Sequence, residues 1–141
     1  MDNLTPEQRR KNMQGIRSTN TIPEKIIAKE LKKRKIYFSQ YSKKLPGKPD
    51  FIFRRKKVVV FVDSDFWHGH PRRFVMPKSN VDYWENKIRS NRERDTKNNR
   101  DLKKKGWTVL RLWEHDVKKN TEKSLEKILI ALKKNTKDPK L

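Results

Sequence analysis

Residues 58–62, VVVFV, restrict the fold of this chain more than any other stretch. Five apolar residues with no polar alternation suit a strand covered on both faces, which needs helices above and below its sheet. Residues 50–53 and 58–63 read as two strands joined at the basic turn Arg54 to Lys57. IYFSQY, residues 36–41, and residues 107–112 read as two more. Thr5, Pro6 and Gln8 mark a helix start, and that short helix carries Met13 and Ile16 before fading near residues 18–20. Thr21 with Glu24 repeats the capping pattern and opens a helix to about Lys33, with Ile26, Ile27 and Leu31 on one face. Residues 82–105 read as one long polar helix stopped by Gly106. Leu125, Ile128, Leu129 and Leu132 line a final amphipathic helix. Loops are expected at 43–48 and at 69–80, the second broken by Pro71 and Pro77. The order is helix, helix, three strands, long helix, strand, helix. It implies an α/β fold with a small mixed sheet flanked by helices.

Length points to one domain, over residues 21–135, with an amino-terminal arm at 1–20 and a disordered basic tail at 136–141. Lys and Arg number 38 against 17 Asp and Glu, a formal net charge of +21. Such a surplus attracts polyanions by neutralising phosphates and releasing counterions, so nucleic acid is the expected partner. The plainer explanation is a solvated surface from a Lys-rich proteome. Cysteine is absent, which excludes disulfides and thiolate zinc sites. No apolar run approaches the roughly 18 residues of a membrane span, and MDNLTPEQRR lacks the apolar core of a signal peptide. An intracellular location is expected.

The chemistry-bearing residues gather around the central run. Asp50 begins one strand and Asp63 ends the next, so pairing through the 54–57 turn sets their outer ends side by side. Two carboxylates there repel unless a cation lies between them, and Mg²⁺ prefers a few carboxylates plus waters and phosphate oxygens. Strand-end turn residues, or salt bridges to the many Lys and Arg, would explain the same acids without chemistry. Asp65, His68 and His70 follow at once, beside the adjacent rings Phe66 and Trp67. Along the long helix, Trp84, Ile88, Asn91, Asp95 and Leu102 share one face. Its two polar members must be hydrogen-bonded or functional if that face turns inward.

Four segments, LPGKPDF, VVVFVDSDFWHGH, YWENKIRSNRERD and GWTVLRLWE, resemble in order and spacing the very short patch repair (Vsr) endonucleases. The resemblance covers about residues 8 to 116. It implies the restriction-endonuclease-like three-layer sandwich with a PD-(D/E)xK core. The activity it implies is Mg²⁺-dependent nicking of one DNA strand beside a T·G mismatch, with Mn²⁺ able to substitute. It further implies a cytoplasmic, nucleoid-associated monomer acting on double-stranded DNA, with a mismatch-repair protein as a candidate partner. Asp50 falls at the metal-binding aspartate and Val62 where a main-chain carbonyl completes the metal shell. His68 falls at the histidine that activates water, a task suited to an imidazole near pKa ~6.5. Glu24 matches a glutamate able to orient a metal-bound water, although a capping box explains it equally well. Phe66, Trp67 and Trp84 match rings that wedge into the base stack, and Met13 a residue inserted from the opposite groove. For Trp84 the ordinary core is the competing explanation. Asn91 and Asp95 match a polar pair expected to brace the active-site loop.

Two features depart from the family pattern. Asp63 stands where histidine is frequent, or the ExK lysine in more distant nucleases. It is therefore expected to act as a second metal ligand rather than a positive helper. The structural zinc site, mostly cysteine in the family, corresponds roughly to Asp65, His70, Arg72 and His115. Salt bridges among Asp65, Arg72 or Arg73 and the histidines are expected instead, with no structural zinc. Two rivals stay open: a related nuclease with another mismatch, damaged-base or restriction target, and a catalytically silent DNA-binding module.

Overall fold

The VVVFV run is the middle strand of the sheet. The computed structural model describes residues 21–65 and 75–134. Within them lie α1 (Ile22–Lys33), β1 (Phe51–Phe53), β2 (Val58–Asp63), α2 (Val81–Lys104), β3 (Thr108–Trp113), α3 (Glu114–Lys119) and α4 (Thr121–Lys134). The helix expected from Thr5, the residues Met13, Phe66, Trp67, His68, His70, Arg72 and Arg73, and the tail at 136–141 lie outside the described residues.

Strand order is β1-β2-β3. β1 and β2 are antiparallel, with Phe51 opposite Val60 and Phe53 opposite Val58. Their turn closes through Lys56 N–H to the Phe53 carbonyl and Lys57 N–H to the Arg54 carbonyl, with Lys57 left-handed at φ 56°. β2 and β3 are parallel, Phe61 opposite Arg111 and Asp63 opposite Trp113. A parallel pair needs a long crossover, and α2 lies within that connection.

Alternation along β2 sorts the core into two halves. Val58 and Val60 join Phe51, Phe53 and Leu112 against Ile27 and Leu31 of α1, Val117 of α3, and Leu125, Ile128 and Leu132 of α4. Val59 and Phe61 join Ile52 against Leu102 of α2 and Trp107. Helices therefore cover both faces, as the unalternating run requires, and the architecture is the restriction-endonuclease-like α/β sandwich with a small mixed sheet.

Two expectations change. Residues 36–41 do not form a strand: Ser39 and Ile52 exchange both backbone hydrogen bonds, at 2.9 and 2.8 Å, as an isolated bridge, and Tyr41 N–H adds one bond to the Pro49 carbonyl at 3.1 Å. Left-handed residues cut the extended run at both ends, Lys35 at φ 58° and Tyr41 at φ 57°. Ile36 and Phe38 still pack on the core, while Tyr37 between them is 88% exposed. The short helix α3 was not expected, since six residues hold too few apolar positions to show a period. Its Val117 is fully buried.

Helix ends follow their local chemistry. Thr21 caps α1 in a full capping box with Glu24. α1 and α2 both finish in Schellman geometry. Ile36 N–H reaches the Leu31 carbonyl at 2.9 Å, and Trp107 N–H reaches the Leu102 carbonyl at 3.0 Å. The left-handed position is Lys35 in the first and Gly106, φ 89°, in the second.

Candidate active site

Three acids are buried at the edge of this frame: Glu24 is 2% exposed, Asp50 6% and Asp63 6%. Asp50 is fixed by the main chain of β2. Its N–H donates to the Val60 carbonyl at 3.0 Å, and its Oδ2 accepts from Val62 N–H at 2.7 Å. Val62 thus meets Asp50 through its backbone N–H.

Glu24 closes the capping box, its Oε2 accepting from Thr21 N–H at 3.2 Å. The same oxygen accepts from the Tyr41 hydroxyl at 2.6 Å. Its carboxyl group lies close enough to Asp50 to act on that group's proton. The capping glutamate is therefore also a neighbour of Asp50. Burial, with the hydrogen bond and negative charge of Glu24, pushes the Asp50 carboxyl up to about 9, against the opposing pull of Val62 N–H; nearby Asp63 adds a smaller push. A proton shared between two buried carboxyls relieves their repulsion, and so would a cation.

Asp63 ends β2 with Oδ1 accepting from Arg111 Nη1 at 2.9 Å. Arg111 comes from the neighbouring strand. Its Nε donates to Asn99 Oδ1 of α2 at 2.8 Å, Asp95 Oδ1 lies 3.7 Å from Nη1, and its guanidinium stacks 4.0 Å above the Phe61 ring. Asp95 thus faces the sheet side of α2, as its spacing predicts. It meets the active-site strand through Arg111. Asn91 is half-buried on the same helix.

Trp84 is buried at 8% exposure, edge-on to Tyr83, with centroids 5.1 Å apart. Tyr83 is 57% exposed. A base-stacking role for Trp84 requires its ring to turn outward.

Asp65 and His115 lie together, as their places in the expected salt-bridge cluster require. His115 Nδ1 is 2.9 Å from Asp65 Oδ1, and its Nε2 is 3.1 Å from Asp116 Oδ1. Glu114 Oε1 accepts from Asp65 N–H at 3.3 Å. These contacts tie the end of β2 to the start of α3.

The donor set suits a hard divalent cation, since Glu24 and Asp50 offer oxygens at one buried point. No three His, Cys, Asp or Glu side chains among the described residues converge as a metal cluster. Main-chain oxygen, water and a phosphate oxygen would have to complete a shell, which is the arrangement Mg²⁺ prefers. Nothing in the sequence singles out Tyr41, which meets Glu24 across the fold. Arg111 leaves one trace, a single cation inside the apolar run VLRLW.

The family model of the DNA mismatch endonuclease Vsr matches residues 1–73. The Type II nicking enzyme V.NmeDIP of Neisseria meningitidis serogroup C is 44% identical over 135 residues, 94% of this chain and 91% of that protein. The Type II nicking enzyme V.XorIIP of Xanthomonas oryzae pv. oryzae is also 44% identical, over 80% of this chain and 84% of its own length. The DNA mismatch endonuclease Vsr of Escherichia coli K12 is 36% identical over 75% of this chain and 69% of its own length. A sheet with acids buried at its edge, on a chain so similar to enzymes that nick DNA, is a DNA endonuclease, and the chain belongs to the Vsr family of DNA mismatch endonucleases.

Proposed function

We propose that this nicking endonuclease cuts one strand of duplex DNA beside a T·G mismatch, using Mg²⁺ with Mn²⁺ as a substitute. The observation that carries the reading is the pair of buried acids, Glu24 in the first turn of α1 and Asp50 just before β1, with Asp63 at the end of β2 close by. A fold that keeps two acids in contact away from water gives up stability unless a ligand repays it.

In this reading Asp50 and the Val62 carbonyl would hold the cation, with Asp63 beside them and Glu24 placed to orient a water. A bound divalent ion supplies charge stabilisation at the scissile phosphate and at the departing 3′ oxygen. His68 accepts the proton of the attacking water. Phe66, Trp67 and Trp84, with Met13 from the opposite groove, wedge into the stack. A T·G wobble lowers the few kcal/mol that unstacking costs, which gives selectivity a physical source. Asn91 and Asp95 brace the site from α2. The protein works as a monomer on chromosomal DNA in the cytoplasm.

The test uses strand-labelled matched, T·G, G·G, uracil- and hypoxanthine-containing duplexes with Mg²⁺. Single-strand cuts beside T·G, lost in Asp50→Ala, support the reading. Cuts beside another lesion would replace the mismatch assignment. Binding without cutting in either Mg²⁺ or Mn²⁺ would refute the cation mechanism. His68→Ala is expected to lower turnover while leaving mismatch affinity nearly intact.

A further inference from the structure

Arg111 is a half-buried cation among acids, and its environment is that of a clamp. Nη1 holds Asp63 at the tip of β2, Nε holds Asn99 on α2, Asp95 of the same helix lies 3.7 Å away, and Phe61 lies flat beneath. Three elements meet on one guanidinium: β2 through Asp63 and Phe61, β3 through the residue itself, and α2 through Asn99 and Asp95. Its remaining amino group, Nη2, is buried with no hydrogen-bond partner.

An orphaned buried donor lowers stability, because its lost hydration is not replaced. Buried ion pairs of this kind are also often no more stabilising than apolar residues of equal volume. Stability alone therefore gives a weak reason to place arginine on this strand. Position gives a better one. Asp63 is near enough to Asp50 to act on its charge, and a carboxylate beside other carboxylates swings away unless a donor fixes it. A rigid planar fork fixes direction as well as charge, which a lysine ammonium cannot do.

We propose that Arg111 is a positioning residue of the nicking reaction: it holds the Asp63 carboxylate in one orientation toward the cation site and anchors that orientation to α2 through Asn99. The inference rests on the cation-binding reading above. It also changes what Asp63 means for this chain. The positive group that meets this aspartate comes from the neighbouring strand.

The test measures Mn²⁺ binding by calorimetry on the full chain without DNA, well below the unfolding temperature. Hydrogen-bonded supports of ligating carboxylates are worth roughly 10- to 100-fold in metal affinity. Arg111→Lys keeps the charge and loses the fork, so it is expected to weaken Mn²⁺ by about tenfold. Asn99→Ala leaves every acid and the guanidinium in place, and is expected to weaken it about threefold, below that range because the ion pair itself survives. In nicking assays both variants are expected to show a raised metal requirement with an unchanged KM for DNA. Unchanged Mn²⁺ affinity in both, with Asp50→Asn abolishing binding, would overturn the role of Arg111. Unchanged affinity in Asp50→Asn itself would instead overturn the cation site on which the inference rests.

Discussion

At the scale of single residues, Asp50 shows function working against stability. The folded state holds its proton more tightly than the unfolded chain, whose carboxyl titrates near 3.8, because burial and Glu24 raise the folded value to about 9. Stability from this group is therefore whole below pH 3.8 and declines as pH climbs toward 9. Asp50→Asn removes the penalty. In chelator at pH 8 the variant is expected to melt several degrees above the parent, with the gap closing near pH 4; an equal or lower Tm at pH 8 would contradict the burial argument. Sequence reading reaches Asp50 easily, since a strand-opening aspartate after LPGKP is local. Reading Glu24 is harder. Thr21 and Glu24 announce a capping box, and the box is present, yet its geometry says nothing about which distant acid the carboxylate meets.

At the scale of elements, caps and turns behave as local chemistry requires, and glycine separates two costs. Gly106 at φ 89° has open space where a Cβ would stand, so Gly106→Ala is expected to cost only the left-handed strain, about 1 kcal/mol. Gly47, φ 77°, would set a Cβ 2.9 Å from Asn98 Nδ2 and 3.1 Å from the Phe61 ring. Its alanine variant is expected to lose more than the Gly106 variant in urea melts; the reverse order would refute this packing of the 43–48 loop on α2. Conversely, Lys35→Gly at the matching position of α1 is expected to gain about 0.5–1 kcal/mol. The failed strand at 36–41 belongs to the same scale. Its aromatic and β-branched residues satisfy strand propensity, but the left-handed residues at each end come from capping α1 and entering the loop, and these tertiary demands outweigh propensity.

At the scale of the whole molecule, a charge of +21 surrounds a site made of acids. The surplus suits attraction to duplex DNA, while the buried acids lie apart from that basic composition. Binding to matched duplex is accordingly expected to weaken steeply with salt, log K falling against log [salt] by about 0.9 per phosphate neutralised. A flat salt profile would show that the basic surface is not the DNA-binding face. The amino-acid sequence alone determined the helices at 22–33, 81–104 and 121–134, the strand pair around the 54–57 turn, the doubly covered β2, the basic composition and the family, because apolar period, capping and turn chemistry act over a few residues. Only the folded chain decided that Glu24 meets Asp50, that Tyr41 braces Glu24, and that Arg111 holds Asp63 across 48 positions of sequence. Those contacts come from packing α1 against the sheet and from the parallel register of β2 and β3, and no local pattern records which side chains these bring together.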